Sequence, residues 1–332
     1  MKVTHSSTYR LMNSNLNRIT NTLQDLRNQG ATGLKVTKPS DDPTAIRPIL
    51  TTRTELRHTE RYIDTMGVSY DKMMATDSHL GHIENILQRV KEIGINSVNG
   101  SLSDPDLQTL ADEVGQLKQE LLSAANTQID GKYVFSGYSE TTQPFIENPL
   151  YVAGSYDPNN SNTWPYIYQG DQNPTELEIT PGERIEVTLT GNELFMGVAN
   201  ANYSAPPAAN QPESGQVDIF SVMTRIEEAI RANNVDDPTG PGGGIQANLG
   251  NIEIAANQER RLRAKLGTRT SRIDEAMAHQ EKISVDLQQT LSRYQDADAI
   301  ETFNEIVKQE TAFQAALSVT SRISQISILD YF

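Results

Sequence analysis

Apolar residues recur near the N-terminus at Tyr9, Met12, Leu16, Ile19, Leu23 and Leu26, at intervals alternating between three and four. An α-helix turns once in ~3.6 residues, so this spacing lays the six side chains along one line. The line is a coiled-coil seam, narrower than the apolar face of an ordinary surface helix. It demands a partner, because a lone seam leaves its side chains wet and its helix marginal. The opposite end of the chain supplies a second apolar row: Phe303, Ile306, Phe313, Leu317, Ile323 and Ile326. Lys2, Arg10, Arg18 and Arg27 outweigh Asp25 in residues 1–29, whereas Asp298, Glu301, Glu305, Glu310 and Asp330 outweigh Lys308 and Arg322 at the other end. Opposite charge beside matching seams favours pairing of the two termini. Leu11, Val307, Val319 and Ile328 lie off the seam and call for cover from other chains.

Gly30 and Gly33 interrupt the first seam. In the stretch LKVTKPSDDPTAI, Asp42 reads as an N-cap, with Pro43 at the first helical position, where a missing donor costs nothing. The helix opened there runs through Ile49, Leu56, Ile63, Met73, Leu80 and Val90, and Pro48 predicts a kink by removing a backbone hydrogen bond. Ser103-Asp104-Pro105 repeats the start chemistry ahead of Leu107, Leu110, Val114, Leu117, Leu121 and Ala124, another heptad row. A turn around Gly100 makes these two helices antiparallel.

The pattern changes at Asp130-Gly131. Tyr133-Val134-Phe135 reads as a strand, and Leu177, Ile179, Ile185, Val187 and Leu189 alternate with polar residues around a Thr180-Pro181-Gly182-Glu183 turn, the signature of a half-buried hairpin. Trp164, Tyr166 and Tyr168 are expected to form the small core of this region, and residues 204–212 to close it as a linker. Helix returns at Phe220, Met223, Ile226 and Ile230, and stops before 236–244, a flexible loop by composition. From about residue 246 the chain is one long helix or two in succession. The expected fold is mainly α with a β-rich insertion, an elongated antiparallel bundle or coiled coil of N- and C-terminal helices. Three parts follow: 1–40 with 296–332 as a terminal rod, 41–131 with 216–295 as a helical trunk, and 132–215 as the insertion.

Composition narrows the function. A net charge of −15 without clustered Lys and Arg excludes a nucleic-acid backbone as partner. No cysteine is present, which removes disulfides, thiolate catalysis and Cys-based zinc together. No window reaches the roughly 18 apolar residues of a membrane span, and the first residues lack the apolar stretch of a cleavable signal. The familiar phosphate, dinucleotide, hydrolase and zinc-protease motifs are missing. His79 and His82 stand three apart on one helix without further ligands in sequence, and read as solvated histidines rather than a metal site. Asp41-Asp42 reads as capping rather than as an acid–base pair. No catalytic residue, cofactor or metal is expected.

The residues also resemble a known family. RLMNSNLNRITNTLQDLRNQGATGLKVTKPSDDPTAI is similar to the N-terminal region of flagellin-like proteins, and its TKPSDDP segment is closer to the flagellar hook-associated proteins than to filament flagellin. AANTQIDGKYVFSGY, YQGDQNPTELEITPGERIEVTLTG, LGTRTSRIDEA and the terminal SQISILDYF fit the same family. The resemblance implies a secreted structural subunit of the extracellular bacterial flagellum, exported by the type III route with a dedicated export chaperone. It implies a ring of self-associated copies at the hook–filament junction, between flagellar hook-associated protein 1 and flagellin. It further implies that Leu16, Ile19, Leu23 and Leu26 with Phe313, Leu317, Ile323 and Ile326 line an inner tube, with the β-insertion facing outward. Filament flagellin, or an export-apparatus tip or adhesin protein, is the alternative.

Overall fold

Helix boundaries fall where capping chemistry places them. The computed structural model describes residues 5–98 and 102–329 of the chain. Helix α1 spans His5–Thr32, α2 Pro43–Val98, α3 Asp104–Ala125, α4 Gly191–Leu194, α5 Ile219–Arg231, α6 Ile245–Gln295 and α7 Ala299–Leu329. At the start of α2, Asp42 Oδ1 accepts from the amides of Thr44 (2.9 Å) and Ala45 (3.1 Å), satisfying donors that the first helical turn leaves free. The helix continues through Pro48 without a break in its assignment. At the start of α3, Asp106 Oδ2 accepts from the Ser103 amide (3.1 Å) and hydroxyl (2.6 Å). Gly30 does not end α1, contrary to the expectation from sequence; Gly33, at φ +71°, does.

Two compact units emerge: residues 1–61 with 281–332, and residues 62–280. The second is a helical bundle with strands packed onto it. Ion pairs give the helix directions. His82 meets Glu120 at 3.1 Å and Arg89 meets Glu113 at 2.7 Å, so α2 and α3 run antiparallel, as expected. Asp77 pairs with Arg263 at 2.8 Å and Lys91 with Glu253, which sets α6 antiparallel to α2. Lys118 with Glu227 (2.6 Å) and Asp112 with Arg231 (2.9 Å) do the same for α3 and α5. The bundle closes tightly at Gly94, where an added Cβ would lie 2.7 Å from Leu249 and 2.9 Å from Ile226.

The strands form three separate antiparallel pairs rather than one sheet. Strands β1 (Gln128–Ile129) and β2 (Lys132–Tyr133) flank Asp130 and Gly131, both at positive φ, a two-residue turn whose twist suits a hairpin. The strand expected through Phe135 thus ends at Tyr133. Strand β3 (Phe145–Glu147) pairs with β4 (Tyr166–Tyr168). Strands β5 (Glu176–Thr180) and β6 (Glu183–Glu186) form the hairpin read from the alternation, with Leu177 opposite Ile185.

This strand region has no core of its own. Phe145 packs its ring 5.0 Å from Phe195 and 5.1 Å from Phe220 of α5, and Tyr166 stands 4.7 Å from Phe220. One continuous apolar cluster joins these aromatics to Leu80, Leu87, Val114 and Ile226 of the helices. Two segments read as linkers are also tied down. Asn210 is buried, donating to the Ser204 carbonyl and accepting from its amide, both at 2.8 Å. The glycines 242–244 dock on α5: a Cβ on Gly242 would sit 2.2 Å from the Arg225 carbonyl, and Asn248 donates to the carbonyls of Gly242 and Gly244 at 2.8 Å each. Composition alone read flexibility where the glycines serve close approach and positive φ.

Candidate assembly interface

The terminal unit pairs α1 with α7. On α1 the predicted seam faces inward: Leu23 is buried, and Met12, Leu16, Ile19 and Leu26 are half-buried. One turn further on, Gly30 lets α7 approach, since a Cβ there would stand 3.3 Å from Ile306 and 3.8 Å from Thr302. Arg27 reaches Glu310 at 2.7 Å, the contact foreshadowed by the opposite charges of the two ends. Both partners are largely exposed, so the pair orients the helices more than it holds them.

On α7 the covered row is Thr302, Ile306, Gln309, Phe313, Ala316 and Thr320, at alternating intervals of four and three. Ile306 and Phe313 therefore fall where the sequence placed them. Phe303 and Leu317 do not: they are exposed at 59% and 46%. The side chains of Tyr9, Ile323 and Ile326 lie outside the described residues, as does that of Ile328. The large apolar residues of α7 read as one row in sequence, whereas four of the six residues in its inward row, Thr302, Gln309, Ala316 and Thr320, are polar or small. Ile300, Phe303, Val307 and Val319 are turned to solvent, Ile300 at 76%, and Leu11 of α1 is exposed at 65%. An isolated helix pair hides its large apolar side chains; here Ile306 and Phe313 are covered, while Ile300, Phe303 and Val307 remain outside.

Below this pair the two chain reversals clasp each other. The Lys35 amide donates to the Gln295 carbonyl and the Ala297 amide to the Gly33 carbonyl, each at 2.8 Å. Val36, Ala45 and Ile49 form a small apolar cluster with Ile46 and Leu291. Asp41 Oδ2 accepts from the amides of Thr37 (3.0 Å) and Lys38 (2.9 Å), which fixes the preceding turn. These bonds, to Lys38 and Thr37 for Asp41 and to Thr44 and Ala45 for Asp42, hold both carboxyls below the usual range. Asp298 caps α7, accepting from Ile300 (2.8 Å) and Glu301 (3.1 Å).

Chemistry elsewhere is sparse. Glu259 of α6 is fully buried with neither carboxylate oxygen hydrogen-bonded, and burial, helped by Glu84, pushes its carboxyl up to about 7. Asp218 is a buried N-cap of α5, raised by burial to about 7 while it accepts from the Ser221 amide at 2.7 Å. Of the two helix histidines, His82 is engaged by Glu120. Among the described residues, no group of three or more His, Asp or Glu stands close enough to hold a metal ion, and no helix is long and apolar enough to cross a membrane.

Residues 3–140 match the family model of the bacterial flagellin N-terminal helical region, and residues 249–332 that of the C-terminal helical region. The chain belongs to the flagellin-like proteins. Over nearly its whole length this flagellin-like chain is similar to flagellar hook-associated protein 3 of Escherichia coli, 23% identical over 327 residues, 97% of this chain and 98% of the relative. Flagellin D of Vibrio anguillarum is 20% identical over 351 residues, covering 93% of each. A flagellar hook-associated protein from Vibrio parahaemolyticus shares the fold with a TM-score of 0.62 at 16% identity, over 77% of this chain and 100% of that one. The fuller match to hook-associated protein 3 favours that type of flagellin-like chain over a filament flagellin.

Proposed function

We propose that this chain is a structural, non-enzymatic subunit of the bacterial flagellum that self-assembles at the hook–filament junction, fitting the hook to the flagellin filament. The observation that carries the reading is the outward apolar row of α7, with Ile300, Phe303 and Val307 exposed on a helix already paired with α1. Covering such a row is favourable, and an assembly of copies covers it without any ligand. In this reading residues 1–40 and 296–332 are the terminal rod, 41–131 with 216–295 the trunk, and 132–215 an outward insertion. The rod residues Tyr9, Met12, Leu16, Ile19, Leu23 and Leu26, with Phe303, Ile306, Phe313, Leu317, Ile323 and Ile326, build the assembly wall. Hook-associated protein 1 and flagellin lie on either side of the ring, and an export chaperone holds the chain beforehand.

Deletion of the gene tests this. Hooks should remain while flagellin monomers accumulate in the medium, and the wild-type gene should restore filaments. Normal filaments in the deletion strain would refute the junction role.

A further inference from the structure

Two surfaces of the terminal unit carry opposite charge around exposed apolar side chains. The first is the outer side of α2 in its first turns. Arg47, Leu50 and Arg57 lie along one helix line, with Arg53 beside it, while Ile49 and Thr52 point into the unit. Leu50 is 57% exposed. None of these three guanidiniums pairs with a carboxylate among the described residues; Arg57 only donates to the Arg53 carbonyl, at 3.3 Å. Glu55 and Glu60 are the only acids between Pro43 and Arg61. The face is basic although the chain as a whole carries a net charge of −15.

The second surface is the start of α7. Asp296, Asp298, Glu301 and Glu305 follow one another with no base before Lys308. Asp298 is occupied as the cap and Glu305 is held by Lys308 at 2.9 Å, whereas the carboxylates of Asp296 and Glu301 have no partner among the described residues. Between them Ile300 and Phe303 stand out into solvent.

An exposed charge by itself is well solvated and implies nothing. Here the basic set rims Leu50 and the acidic set rims Ile300 and Phe303, and the two rims have opposite sign, the composition of an interface with a dry centre and a polar edge. Two basic faces, or two acidic ones, repel each other, which disfavours a two-fold contact of like with like. A second copy carries the complementary half, and joining unlike faces head to tail gives a contact that repeats from copy to copy and closes into a ring where its rotation permits.

We infer that the basic face of α2 around Leu50 in one copy receives the acidic start of α7, with Ile300 and Phe303, from the next copy. This rests on the self-assembly proposed above and names the mating surfaces.

The absence of cysteine makes the contact directly testable. Leu50→Cys and Phe303→Cys chains, each a single substitution, are co-expressed in the deletion strain, and detached flagella are oxidised. A disulfide-linked dimer should form when both variants are present and not with either alone. In a second arm, Arg53→Glu/Arg57→Glu and Asp296→Lys/Glu301→Lys should each lose filament assembly, and a chain carrying all four substitutions should recover it. These side chains are exposed, so melting of the purified variants should match wild type. If it does not, the cysteine arm, which leaves every charge in place, decides. Wild-type assembly by either charge-reversed chain, no recovery in the combined chain, or absence of the mixed dimer in assembled flagella would overturn the pairing. In that event a deletion strain that still lacks filaments leaves the junction role standing, whereas a deletion strain with normal filaments removes both.

Discussion

The unit of residues 62–280, which holds most of the helical bundle expected as the trunk, and the terminal unit of residues 1–61 with 281–332 bury their apolar side chains differently. In the trunk, Met66, Leu80, Ile83, Leu87, Val114, Leu121, Phe220 and Ile226 are fully covered by the chain itself. Among the described residues of the terminal unit the buried apolar ones are Leu23, Val36, Ala45 and Ile49, while Ile300, Phe303, Val307 and Leu11 remain exposed. Burial of apolar area is the main favourable term in folding, at about 25 cal/mol per Å2. The trunk therefore carries its own stability, and the termini leave much of theirs to be realised on association.

The strongest way to break this contrast is Leu23→Asp. An unpaired charge in the buried seam costs several kcal/mol, ~3 or more, and should abolish assembly while leaving the trunk's melting transition in place. Filament growth by this variant would show that the seam is dispensable.

Phe220→Ala probes the trunk. Because Phe220 touches Phe145, Tyr166 and Phe195, its loss should cost about 3–5 kcal/mol and lower the unfolding midpoint of strands and helices together. Urea unfolding followed by near- and far-ultraviolet circular dichroism checks this. Separate transitions for the two probes would mean that the insertion folds independently after all.

Glu259→Gln sharpens the comparison through pH. The folded carboxyl keeps its proton up to about 7, while the unfolded one releases it near 4.5. The ionisation penalty of Glu259 is therefore absent below the lower value, accumulates as pH rises through this window and is complete above it. Glutamine should stabilise the trunk by up to about 3 kcal/mol at pH 8 and change little at pH 4.5. Equal effects at both pH values would contradict the buried, unpartnered carboxyl. The smallest expected effect is that of Asp42→Ala. It should speed hydrogen exchange at the Thr44 and Ala45 amides and leave the amides of residues 62–280 untouched.

Much of this architecture is legible in the sequence because short-range rules set it. The caps at Asp42 and Ser103, the heptad row of α3 and the Thr180–Glu183 turn each depend on residues within one or two turns of one another. What escaped depends on distant neighbours. Glycines 242–244 look like a tether until Arg225 and Ala229 are packed against them. Phe303 and Leu317 look like seam residues because size was taken as the sign of burial, whereas the face toward α1 is chosen by the close approach at Gly30. Glu259 had a readable signal: Ile252, Ala255, Leu262 and Leu266 keep heptad spacing on either side of it, and only its charge hid its place in the row. In the α1–α7 pair, the row on α1 from Met12 to Leu26 turns inward, and the outward side of α7 became visible only with α1 in place.

The clasp between residues 33–35 and 295–297 has a consequence for how such a chain tolerates change. Its bonds join amides to carbonyls and, apart from Gly33, whose φ of +71° favours glycine, place little demand on side-chain identity, so they anchor the axial alignment of α1 and α7 through the main chain. Substitutions along the two helices can then drift far while the alignment persists. Adding or deleting a single residue between Leu23 and Gly33 is another matter. It turns everything upstream by ~100° about the helix axis and carries Leu23 off its line. Length in this short stretch is constrained more tightly than spelling.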